Sequence, residues 1–82
     1  MPDIPEWLAR TFYHIVPAPR HHLITPDAHL EHDLMLDAVA PLDLAEAILE
    51  QTGREVPDAE IERWERVADV VASSQAQEVN EL

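Results

Sequence analysis

Eighty-two residues, 46% hydrophobic and without cysteine, are enough for one small domain with one core; they exclude a disulfide framework and a thiolate metal site. Seventeen Asp and Glu stand against five arginines and no lysine, a net charge of -12. That balance turns away nucleic acid and anionic membranes, which both demand a positive surface, and favours a basic protein partner or a divalent cation that relieves self-repulsion. The first segment opens with Asp3 and Glu6, spaced as an N-cap and its reciprocal partner, with Pro5 tolerated in the first turn. Ile4, Leu8, Phe12 and Ile15 then recur at helical spacing, with Trp7 beside the stripe. Pro17 and Pro19 stop that helix, because proline has no amide donor and clashes with the preceding turn.

Residues 18–37 read as a long connection anchored by Ile24, Leu30, Leu34 and Leu36, with a turn at Thr25-Pro26-Asp27. Asp37 is the natural N-cap of the second helix. Val39, Leu42, Ala45 and Ile48 or Leu49 give that helix an apolar stripe, widened by Leu44. Pro41 in its first turn predicts a local distortion, and Gly53 is placed to end it in a left-handed conformation. Asp58 reads as the cap of a short third helix through Ile61 and Trp64. Val67, Val70 and Val71 mark a fourth. No segment alternates with period two. The prediction is an all-α bundle of three main helices and one short one, a single domain over residues 1–74 with a flexible tail over 75–82.

In order and spacing, these features resemble an acyl carrier protein. The family has a long loop after its first helix, an Asp-Ser-Leu signature opening the second, and an Ile-Pro-Asp-like turn before the third. Here Ile24-Thr25-Pro26-Asp27 and the loop to Asp33-Leu34 lead to Asp37-Ala38-Val39 at the signature. Ala47-Ile48-Leu49-Glu50, Gly53-Arg54-Glu55-Val56-Pro57-Asp58 and Val67-Ala68-Asp69-Val70-Val71 follow in register, so the resemblance covers residues 24–72 without a gap. It implies a four-helix carrier fold that presents acyl chains to enzymes of lipid or secondary-metabolite synthesis, without catalysis of its own. The family's signature serine bears 4'-phosphopantetheine. Ala38 stands there without a hydroxyl, and residues 34–44 hold no Ser, Thr, Tyr or Cys, so this chain as written bears no such arm. Two explanations stay open: an alanine introduced into a working carrier, or a natural non-carrying module that regulates or scaffolds an enzyme.

The resemblance also implies a docking surface along the second helix for basic patches of acyl-processing enzymes, and contact with a phosphopantetheinyl transferase. The residues expected to serve it are Asp37, Val39, Asp43, Glu46 and Glu50; Ala40 and Leu49 stand where the family often has further acids. Solvation alone also explains a charged helix face. His21, His22, His29 and His32, with Glu31 and Asp33, crowd the long connection, but their spacings follow no established ligand pattern and no metal is expected. Arg20, His21 and His22 form a small basic spot that either steers a partner or packs back on the acidic body. Trp7 and Trp64 read as core or edge aromatics. The apolar runs are too short to span a membrane, and Met1-Pro2-Asp3-Ile4-Pro5-Glu6 lacks the basic start of a signal peptide, so the expectation is a cytoplasmic protein, monomeric when free.

Overall fold

The computed structural model describes residues 4–75. Asp3, expected to cap the first helix, and residues 76–82 of the expected tail lie outside them. Helix α1 spans Glu6–Ile15 with Pro5 at its N-cap, and the Pro5 carbonyl accepts the Ala9 amide at 2.8 Å. Glu6 sits at the positive end of the helix and pairs with Arg10 one turn on, at 2.8 Å, while His14 sits in the last turn. Leu8 and Phe12 are fully buried, with Ile4, Trp7 and Ile15 packed around them. The helix stops where the prolines demand: Val16, held extended before Pro17, is its C-cap.

The connection that follows is more ordered than its sequence suggests. A 3₁₀ helix occupies Ala18–Leu23, with Pro19 in its first turn, where a missing amide costs nothing. The turn at Thr25 closes through the Ala28 amide on the Thr25 carbonyl at 3.0 Å. The chain then runs against residues 65–68: the Leu30 amide meets the Glu65 carbonyl (2.8 Å), Val67 meets Ala28 (3.0 Å) and Ala68 meets Pro26 (2.9 Å). Arg66 adds its guanidinium to the Asp27 carbonyl at 2.7 Å. Leu30, Leu34 and Leu36 are buried as expected. The His29–Arg66 contact is an isolated antiparallel bridge.

Helix α2 covers Ala40–Thr52, and the predicted stripe is met in part: Leu44, Ala45 and Ile48 pack inward as expected, the other members do not. Ala40, Leu44 and Ile48 face the core, whereas Val39, Leu42 and Leu49 are 58%, 57% and 44% exposed. Apolar residues occur at helical spacing on two sides of this helix, and periodicity alone could not choose between them. Gly53 ends it at φ 77°, its amide on the Leu49 carbonyl at 2.8 Å, a conformation that suits a residue without Cβ.

Helix α3 is Asp58–Glu62. Asp58 is its first residue rather than its cap: extended Pro57 turns its carbonyl to the Glu60 and Ile61 amides, both at 3.0 Å, so the helix opens one residue earlier. Trp64 falls beyond the helix and is buried. Helix α4 spans Val67–Gln75, so Gln75, assigned to the tail by sequence, is helical. The Asp69 carboxylate reaches back to the Glu65 and Arg66 amides, both at 2.9 Å, closing the start of that helix.

Helix α2 packs against α1, α3 and α4, and Leu8, Phe12, Leu34, Leu44, Ile48, Val67 and Val70 form the fully buried centre. Among the described residues the fold is all-α, with three longer α-helices, one short one and a long first connection. A polar network ties α3 to α4 and to the segment after α2. Arg54 reaches Glu60 through two nitrogens, at 2.8 and 3.2 Å, and Glu60 also accepts the Ser73 hydroxyl. Ser73 Oγ in turn accepts the buried Trp64 indole N–H at 2.8 Å. The Arg54 hydrogen bonds, then that of Ser73, hold the Glu60 carboxyl below the usual glutamate range, against a smaller opposing effect of burial.

Candidate functional site

The start of α2 is built by Asp37. Its Oδ1 accepts the Val39 amide at 3.1 Å and the Ala40 amide at 3.0 Å, satisfying two of the donors that a helix start leaves open. Pro41 has no amide to give the Asp37 carbonyl, which instead takes Ala40 at 3.3 Å, and the Val39 carbonyl takes Leu42 at 2.9 Å. The regular helix therefore begins at Ala40, with Ala38 and Val39 in a bend ahead of it. This is the distorted first turn expected from Pro41.

Ala38 is exposed at that bend. Just before it, Met35 lies in the left-handed region at φ 58° with its side chain 58% exposed, flanked by the buried anchors Leu34 and Leu36. Both neighbours are pulled into the core, and Met35 takes the strained backbone that this demands. Ile15, Pro17, Met35, Leu36, Asp37, Val39, Ala40 and Asp43 surround an open depression of about 330 Å³ beside Ala38.

From there the outer face of α2 runs as one strip. Asp37, Val39, Asp43, Glu46 and Glu50 are all exposed, and the helical period brings Val39, Asp43, Glu46 and Glu50 onto one side. Leu42 and Leu49 share it; Leu42 was expected in the core stripe, whereas Leu49 was left open between that stripe and a position where the family often has an acid. The signal that could have found them is the placement of the acids: residues 43, 46 and 50 lie on the side of 39, 42 and 49, and three carboxylates do not share a core stripe. Helix α2 itself contains no basic residue, so the strip is apolar side chains set among carboxylates, with Arg10 and His14 of α1 lining a depression beside Asp43. Ala40, where the resemblance led one to expect a further acid, is buried and belongs to the core.

Of the histidines of the long connection, His29 and His32 lie together with ring centres 4.2 Å apart, and no third ligand-type side chain of the described residues joins them as a metal group. Among the described residues, no three His, Asp or Glu side chains are grouped to hold a metal ion. His21 Nε2 lies 2.8 Å from the Val16 carbonyl, and its ring packs at 4.9 Å on Tyr13. Arg20 reaches the Asp33 carbonyl at 3.3 Å. Two members of the basic spot are thus spent on the protein's own chain. Ser73 and Ser74 are buried in α4, far from Ala38 in sequence, and no described helix is long and apolar enough to cross a membrane.

Compared with known proteins, the chain is similar to Acyl carrier protein 2 of Ralstonia nicotianae, with 38% identity over 53 residues. The match spans 65% of this chain and 65% of the length of that relative. No protein-family model matches the chain.

Proposed function

We propose that this protein is an acyl-carrier-type scaffold that works by docking on acyl-processing enzymes through the outer face of α2, with Ala38 at the position of the attachment residue. The observation that carries the reading is the exposed bend at Ala38, capped by Asp37 and opening directly onto the acidic, leucine-bearing strip. A group attached there would stand clear of the core, beside the positive end of α2. Serine at this position would supply the hydroxyl for a 4'-phosphopantetheine arm, and the arm's thiol would carry acyl groups as thioesters. Alanine supplies none, so the chain as written meets its partners without a cargo.

A second reading follows from the same face. Val39, Leu42 and Leu49 remain exposed although no arm can be attached, which suits a module that regulates or scaffolds an enzyme by contact alone. One experiment separates the two. Ala38→Ser is incubated with coenzyme A and a phosphopantetheinyl transferase, and intact mass is measured. The carrier reading expects the mass of one phosphopantetheine on the serine variant and none on the parent. A folded serine variant that gains no mass with a transferase active on another carrier refutes it and leaves the contact-only module.

A further inference from the structure

We propose that His29 is a pH-sensitive latch on the turn leading to the Ala38 bend. Its Nδ1 faces two backbone donors, the amides of Glu31 and His32, each at 3.2 Å. In return Asp33 Oδ2 accepts the His29 amide at 2.8 Å. This is reciprocal N-capping, with an imidazole nitrogen in place of the usual side-chain oxygen. The capped turn is short and continuous. The Asp33 and Leu34 amides meet the His29 carbonyl at 3.0 and 3.1 Å, and the Leu36 amide meets the Leu30 carbonyl at 3.0 Å.

An imidazole nitrogen accepts a hydrogen bond only while its lone pair is free. The geometry therefore assigns the neutral ring its proton on Nε2. Protonation turns Nδ1 into a donor facing two donors, so the ring must swing away and leave both amides without their acceptor. On its own turn His29 is surrounded by Glu31, Asp33 and His32, whose ring lies 4.2 Å away centre to centre. On the segment packed against it stand Glu65, Arg66 and Asp69, with the Asp69 carboxylate taken up by backbone amides and the Arg66 guanidinium on the Asp27 carbonyl. Arg20 approaches from the 3₁₀ helix through the Asp33 carbonyl. Leu34 and Leu36, which force Met35 into its left-handed conformation, belong to this turn or follow it directly, so acidification loosens the approach to Asp37.

The inference concerns the chain's own turn and does not rest on the carrier reading. It is tested by nitrogen-15 NMR of the isolated protein between about pH 8 and about pH 5, the interval in which histidine side chains change charge. At high pH the His29 ring is expected in its Nε2–H form. As that ring titrates, the Glu31 and His32 amide signals shift with it, and their exchange, corrected for intrinsic rate, speeds up roughly fivefold to tenfold. His29→Asn, whose side-chain oxygen caps without titrating, holds both amides constant, while His32→Gln keeps the parental response. A Nδ1–H ring at high pH, amides that ignore the titration, or the same response surviving in His29→Asn each overturn the latch. If His29→Asn does not fold, the tautomer in the parent protein decides alone.

Discussion

Replacing Glu60 by glutamine removes one charge from the Arg54–Glu60–Ser73–Trp64 network without removing volume. Glu60 accepts three hydrogen bonds, two from Arg54 and one from the Ser73 hydroxyl. Glutamine keeps one acceptor oxygen and points an NH₂ group at donors that expected an oxygen. Hydrogen bonds to charged groups contribute about 1.5–3 kcal/mol each when well desolvated. Here the paired side chains are 15% and 29% exposed, so solvent screening brings the net loss to about 1–2 kcal/mol. A domain of this size loses about 4–8 °C of melting temperature per kcal/mol. The acid dependence is the sharper test. Because the folded protein holds the Glu60 carboxyl below its ordinary value of 4.5, its contribution is fully present above that value and disappears as pH falls through the lowered one. Urea unfolding followed by far-ultraviolet circular dichroism should show a gap between parent and Glu60→Gln that is full at neutral pH and closes in strong acid. A gap that stays constant across that range, or no gap at neutral pH, refutes the assignment.

Two further substitutions probe the approach to Ala38. Asp37→Ala removes the acceptor of the Val39 and Ala40 amides and should cost about 0.5–2 kcal/mol, read as a lower thermal midpoint, whereas Asp37→Asn should lose much less. Equal midpoints for Asp37→Ala and the parent would show that the cap contributes nothing. Met35→Gly relieves a left-handed backbone that costs an ordinary residue about 1–2 kcal/mol, offset by about 0.5–1 kcal/mol of extra unfolded-state entropy. A stability gain of up to about 1 kcal/mol is therefore expected in urea unfolding, and a clear loss would mean that the Met35 side chain makes contacts outweighing its strain.

Much of the fold was legible because its punctuation is chemical. Pro17 ended α1, Gly53 ended α2, Asp37 held the amides at the start of α2 from two residues before its cap Val39, and Leu30, Leu34 and Leu36 marked where a long connection had to return to the core. What stayed hidden depends on tertiary contact. The rotation of α2 is set by which of two apolar stripes meets α1, α3 and α4. The 3₁₀ helix of Ala18–Leu23 carries no periodicity long enough to announce it. Neither the His29 cap nor the Glu60 network follows from spacing, since the first needs a turn's geometry and the second joins residues from three segments. On the outer face of α2 the exposure of the acids was legible and that of Leu42 was not, because apolar residues occur at helical spacing on two sides of the helix.

Val39, Leu42, Glu46 and Leu49 follow one another at intervals of three, four and three along the exposed side of α2. At about 1.5 Å of rise per residue, that seam is only about 15 Å long, less than three helical turns. A partner helix laid along it would find few apolar footholds before meeting Glu50 and the end of the helix at Gly53. Contact confined to this strip would lie toward the small end of protein interfaces, where association is brief and charge does much to set the rate of encounter. Under the proposed docking role, such a strip would suit a visitor that lands and leaves rather than a subunit that stays.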